Sequence, residues 1–262
     1  MISRVGYAFL GLALLASGAV FTLAGGMMTM AAPASLDTRA ATAVEEDFAT
    51  TGAKEQKTSV PWGGLQHRKA GVGLKRARLI VVLLHGYGSR ADDLIGLAGM
   101  IDSGVPTAYI FPAAPIDLGS GRRGWNLPDG KGFDASRGQV LELLAYLHET
   151  YPQADVVVGG FSQGATLAIS LLAEHLTQVK GYLFFSPGWY LSHEPRGGDD
   201  LPAVFLSHGE KDSILPFTGS EALRAHLGEA GYVVTWFPFA GGHTIPAAAI
   251  TATNAFLAGI MP

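Results

Sequence analysis

The chain has 262 residues, 48% of them hydrophobic, with 22 acidic against 18 basic side chains for a formal charge of −4. That is enough to bury one sizeable core, and the weakly acidic balance argues against nucleic acid as a partner. No cysteine is present, which removes disulfides, thiolate metal sites and a cysteine nucleophile together.

Residues 5–36, between Arg4 and Asp37, hold no charge, and 5–16 are strongly apolar. A short positive start followed by an apolar region reads as an export signal. Small-residue cleavage patterns occur at Ser17-Gly18-Ala19 and Ala32-Pro33-Ala34. The run is also about as long as the roughly 20 residues that span a bilayer. A cleaved signal and a retained membrane anchor over residues 5–30 therefore both fit, and either puts the remainder outside the cytoplasm, periplasmic or secreted. Residues 1–34 form this signal or anchor. Residues 35–60, rich in Ala, Thr, Glu, Asp and Lys without apolar periodicity, read as a linker. Residues 61–262 make the folded domain.

In that domain the basic residues Arg68, Lys69, Lys75, Arg76 and Arg78 are expected on a solvated hairpin face. Strand-length apolar runs then follow at 79–84, 108–111, 155–159, 182–185, 203–207 and 233–237. Between them, Val140, Leu141, Leu143, Leu144 and Leu147 recur at helical spacing within 138–149. The stretch 163–176 is apolar nearly all round, so it predicts a helix buried against the sheet. Further helices are expected over 220–227 and 247–257. Uniformly apolar strands alternating with helices predict an α/β fold with a mainly parallel central sheet flanked by helices. The connection over 186–201 is too short for a large lid domain.

The run at 155–159 leads into Gly160-Phe161-Ser162-Gln163-Gly164. Glycines on both sides of a serine suit a strand that turns into a helix within about two residues, where a Cβ would clash. A serine hydroxyl needs a base, an orienting acid and donors for the oxyanion. Both side-chain partners follow strand-length runs, at the strand ends where open α/β sheets carry their active residues. The first such loop is His208-Gly209-Glu210-Lys211-Asp212, in which Asp212 is the leading candidate and Glu210 a chemically able rival. The second is Gly241-Gly242-His243, where His243 competes only with His226, inside an expected helix. The loop His85-Gly86-Tyr87-Gly88-Ser89 can present the Tyr87 N–H to an oxyanion, and Gln163 N–H, opening a helix, supplies a second donor. His85 and His208 are expected to shape their loops. The remaining histidines show no metal-ligand spacing, so no metal is expected.

Taken in order, Leu83-Leu84-His85-Gly86-Tyr87-Gly88, Phe111-Pro112-Ala113-Ala114-Pro115, Gly124-Trp125, the segment around Ser162, His208-Gly209-Glu210-Lys211-Asp212 and Gly242-His243 resemble the carboxylesterase/phospholipase family that includes acyl-protein thioesterases. The resemblance implies an α/β-hydrolase fold, a Ser162–Asp212–His243 triad, an oxyanion hole of the Tyr87 and Gln163 amides, and no cofactor. It also implies that Trp125 lines the acyl pocket. Ser89 stands where the family often has an acidic residue, and Ala165 where it has a second glycine. The function expected is an exported serine esterase acting on small-molecule or lipid esters. Thioesters and lysophospholipids are alternative substrates, and a non-catalytic binding protein of this fold is the rival of another class.

Overall fold

The computed structural model describes Trp62, residues 64–189 and residues 193–261. The expected export segment and linker lie outside those residues. Among the described residues no helix is long and apolar enough to cross a membrane.

In chain order the strands and helices are β1 (His67–Gly71), β2 (Leu79–Leu84), β3 (Thr107–Pro112), β4 (Ile116–Asp117), β5 (Arg123–Gly124), α1 (Phe133–Thr150), β6 (Asp155–Phe161), α2 (Gln163–Ser170), β7 (Val179–Phe185), β8 (Ala203–Gly209), α3 (Phe217–Glu229), β9 (Val234–Phe239) and α4 (Ala247–Ile260). Seven strands form one sheet in the order β1-β3-β2-β6-β7-β8-β9, and β4 and β5 make a separate two-stranded ribbon. Every pairing from β3 to β9 in the large sheet is parallel, and only β1 runs antiparallel, against β3. This is the α/β-hydrolase architecture expected from the sequence, without a large inserted lid.

The uniformly apolar strands are explained by burial on both faces. Along β2, Ile80, Val82 and Leu84 point into one core with Val140, Leu144 and Leu167, while Leu79, Val81 and Leu83 point into a second with Ile250 and Leu257. All six β2 side chains are buried, and each such aliphatic residue contributes about 1.5–3 kcal/mol. On α1 the buried positions Phe133, Ser136, Arg137, Val140, Leu143, Leu144 and Leu147 repeat at helical spacing, so one face lies on the sheet.

Two local expectations are corrected. The basic stretch is not a hairpin face, because His67–Gly71 is an edge strand of the sheet and the turn Leu74–Arg76 leads to β2, which pairs with β3 and β6. The helix expected to 176 ends at Ser170 and tightens into a 3-10 turn over Leu171–Ala173.

Candidate active site

Ser162 joins β6 to α2 with φ 56° and ψ −121°, a conformation that a non-glycine residue holds only under constraint from its surroundings. The flanking glycines supply it. A Cβ on Gly160 would sit 2.5 Å from the Leu84 carbonyl oxygen, and one on Gly164 only 2.1 Å from the same atom. The end of β2 is thus pressed against the elbow from below. The Ser162 N–H donates to Phe185 O across to β7 at 2.9 Å.

The loop after β2 runs beside this serine, since a Cβ on Gly86 would lie 3.4 Å from the Ser162 Cβ. Buried His85 fixes that loop. Its Nε2 accepts the Ala114 N–H at 3.0 Å, so Nδ1 carries the proton and donates to Gly86 O at 2.8 Å. Gln163 bridges to the segment after β5. Its Oε1 accepts the Trp125 N–H at 2.8 Å and its Nε2 donates to Asn126 O at 2.9 Å. The Trp125 indole donates to His85 O at 2.8 Å, and its side chain has no exposed surface. The expectation that Trp125 lines an acyl pocket therefore meets a ring with no face open to a substrate; its contacts brace the His85–Gly86 backbone.

The candidate acid, Asp212, and the candidate base, His243, lie on the two loops beyond β8 and β9. Those loops are stitched together by Lys211 N–H to Gly241 O at 2.9 Å and Glu210 N–H to Phe239 O at 2.8 Å. A Cβ on Gly209 would lie 2.4 Å from the carbonyl oxygens of both Gly241 and Gly242, so a glycine there is what lets the loops meet. Asp212 Oδ2 accepts from His243 Nδ1 at 2.6 Å. Its Oδ1 accepts the N–H groups of Ile214 and Leu215 at 2.8 and 2.9 Å. Burial alone would raise the Asp212 carboxyl, but the Leu215 N–H, His243 and Ile214 N–H bonds outweigh it and hold it below its ordinary value. The His243 ring packs on Phe161, the residue before Ser162, with centroids 4.6 Å apart. Glu210, the rival acid, is exposed. His226, the rival base, pairs instead with Glu194 at 3.0 Å.

A second serine and histidine surround the same acid, so His208 does more than the loop shaping expected of it. His208 Nε2 lies 3.1 Å from Asp212 Oδ2 and 3.1 Å from Leu215 O, and its Nδ1 lies 2.6 Å from Ser220 Oγ. Two acceptors at Nε2 put the ring proton there, so the Ser220 hydroxyl donates to Nδ1. Burial, the largest of several opposing influences, holds His208 below its ordinary value and keeps it neutral. His208 and Ser220 are buried, at 0% and 1% exposure.

Among the described residues no group of three or more His, Cys, Asp or Glu is arranged to hold a metal ion. Three large apolar side chains remain exposed on the loops of this sheet edge: Tyr87 after β2, Trp189 after β7 and Ile214 after β8.

Residues 72–260 match the Phospholipase/Carboxylesterase family. Acyl-protein thioesterase 1 of Eremothecium gossypii is 27% identical over 178 residues, covering 60% of this chain and 76% of that protein. Acyl-protein thioesterase 1 of Candida albicans is 26% identical over 172 residues, covering 54% and 73%. Among solved structures, esterase PE8 is similar with a TM-score of 0.63 at 27% identity, covering 75% of this chain and 99% of that one. A Bacillus cereus carboxylesterase shares the fold with a TM-score of 0.64 at 22% identity, covering 76% and 95%.

Proposed function

This chain belongs to the phospholipase/carboxylesterase family and is a serine hydrolase, and we propose that it is an exported carboxylesterase working through Ser162, Asp212 and His243. The observation that carries the assignment is the 2.6 Å bond from His243 Nδ1 to a buried Asp212 carboxylate, with His243 packed on Phe161 beside the elbow that bears Ser162. That bond fixes the tautomer and leaves Nε2 as the base. His243 takes the Ser162 proton as the oxygen attacks the ester carbonyl. The developing oxyanion is met by the N–H groups of Tyr87 and Gln163. His243 then protonates the leaving alcohol, activates a water, and the acyl-enzyme is hydrolysed to free acid. No cofactor enters these steps.

Ser220 and His208 also contact Asp212 in a serine–histidine–acid order, but a fully buried hydroxyl has no approach for a carbonyl. Exposed Tyr87, Trp189 and Ile214, on loops at the carboxyl edge of the sheet, suit an ester with an apolar part. The uncharged stretch 5–36 supports export, with residues 61–262 as the catalytic domain and a retained anchor as the means of any membrane attachment.

Intact-mass detection of a fluorophosphonate adduct tests the assignment. We expect one adduct on the native chain, lost in Ser162→Ala and kept in Ser220→Ala. An adduct that survives Ser162→Ala sinks it, and no adduct on folded protein favours a binding role. A second reading, cleavage of thioesters, is favoured by the two similar proteins named acyl-protein thioesterase. It gains if an S-butyryl thioester is turned over faster than the matching oxygen ester.

A further inference from the structure

A cavity of about 170 Å³ opens beside the carboxyl end of β3, which lies on the opposite side of β2 from β6 and its Ser162. Its walls come from four separate segments: His67 and Arg68 of β1, Arg90 and Asp92 after β2, Ala113 after β3, and Arg123 of β5. Three arginines and one aspartate thus line the cavity. Asp92 is already matched by Arg90 at 3.3 Å, which leaves the charges of Arg68 and Arg123 in excess. The Arg123 guanidinium is held by the carbonyls of Ala114 and Pro115 at 3.3 and 3.4 Å, not by an acid. His67 sits below its ordinary value through burial first, and through the charges of Lys69 and Arg68 against the opposing Leu65 carbonyl.

The cavity is tied to the reaction centre by the backbone. Gly88 N–H donates to Arg123 O at 2.8 Å, and Arg123 N–H donates to Ser89 O at 2.9 Å. The β5 residue that supplies a guanidinium to the cavity is therefore bonded to the loop that carries Tyr87. A Cβ on Gly124 would touch the Tyr87 ring at 3.1 Å, so this ring lies against β5. β3 and β6 are the two neighbours of β2. At about 4.8 Å per strand spacing, the end of β3 lies about 10 Å from the end of β6, where Ser162 stands. An aliphatic chain crosses that span in about eight bonds at a C–C length near 1.5 Å.

We infer that this cavity is a carboxylate subsite, so that the favoured esters carry a carboxylate about 10 Å from the scissile carbonyl, joined by an aliphatic chain that passes over Tyr87. The cation excess selects the anion, and guanidinium groups match the two oxygens of a carboxylate. The exposed Tyr87 ring covers the methylenes. The position of the subsite along the substrate rests on Ser162 being the nucleophile of the proposed esterase.

Two pairs of probes locate the carboxylate on the acyl or the alcohol side. The first pair is 4-nitrophenyl hydrogen nonanedioate and its carboxamide. The second is the butyrate ester of 8-hydroxyoctanoic acid and its carboxamide. In at least one pair the carboxylate form should exceed the amide in kcat/KM by about tenfold or more. That ratio should fall to near one in Arg68→Gln/Arg123→Gln, and part of the way in Arg68→Gln alone, a change on the exposed edge strand. A ratio near one in both pairs with the native chain overturns the subsite, and so does a ratio that survives the double substitution. Titration calorimetry of nonanedioate into full-length Ser162→Ala decides the matter without turnover. Binding that is lost on adding Arg68→Gln/Arg123→Gln supports the subsite even if every ester proves inert and the esterase reading fails. Absence of binding to Ser162→Ala overturns the subsite while leaving that reading intact.

Discussion

His208 and His243 share one oxygen of Asp212: His243 Nδ1 donates to Oδ2 at 2.6 Å, and His208 Nε2 approaches the same atom at 3.1 Å from the buried side. A second donor spreads the carboxylate charge and fixes its orientation, while Ser220 fixes the His208 tautomer from behind. In His208→Leu that donor is lost and the buried Ser220 hydroxyl loses its acceptor. We expect kcat to fall by about tenfold or more. His208→Gln, whose amide can restore a donor to Asp212, should recover much of that activity. A kcat that is identical in native and Leu proteins would show that His208 does no more than fill space.

Asp212 is the carboxylate bonded to His243, whereas Glu210, two residues earlier, is exposed. Asp212→Ala should lose about 10⁴ in kcat, because His243 then loses both tautomer control and the charge that stabilises its protonated form. Glu210→Ala should stay within a few-fold. Steady-state kinetics on one chromogenic ester checks both, and equal losses would mean that the acid has been misassigned or that Glu210 holds the loop.

The same substitution, glycine to alanine, should act with opposite signs at two sites. Gly164→Ala puts a methyl 2.1 Å from the Leu84 carbonyl oxygen, which belongs to a buried strand and cannot swing aside. It should cost more than about 2 kcal/mol, or prevent folding. Gly138 lies within α1, where an added methyl would meet nothing within 4 Å and φ is not positive. Gly138→Ala should stabilise by about 0.5–1 kcal/mol, because alanine loses less entropy in a helix. Urea midpoints of both variants measure this. A neutral Gly164→Ala would contradict the close approach on which the elbow depends.

Much of this arrangement is legible in the sequence because its causes are local. The β2 strand LIVVLL is buried on both faces and reads as such, with bounds identical to those expected. The glycines at 160 and 164 signal a steric squeeze, and the Leu84 carbonyl is what applies it. What stays hidden depends on partners distant in the chain. β1, HRKAG, has no apolar pattern because it pairs through its backbone at a sheet edge. Trp125 offers no sign that its indole is spent on His85 O, 40 residues away. The double claim on Asp212 Oδ2 is hidden too, since nothing in His208-Gly209-Glu210-Lys211-Asp212 says that the first residue folds back on the last.

Three histidines set the pH dependence of stability, and two of them are buried. His85 and His208 are both held below their ordinary value of 6.5, chiefly by burial. Each also accepts a hydrogen bond at the nitrogen that protonation would fill, from Ala114 N–H and from Ser220 respectively. The unfolded chain protonates both near 6.5, whereas the folded chain does so only at lower pH. His67 is lowered as well, so between those values the unfolded state binds up to three more protons, and folding weakens as pH falls through about 6.5 and is fully supported above it. Each histidine contributes a slope of up to about 1.4 kcal/mol per pH unit in that window. The lowered Asp212 carboxyl titrates below its ordinary 3.8 and plays no part there. The urea midpoint should thus drop from about pH 7.5 to about pH 5.5 at constant m-value. A midpoint that is flat across this range would mean that these rings take up their protons as readily in the folded protein as in the unfolded chain.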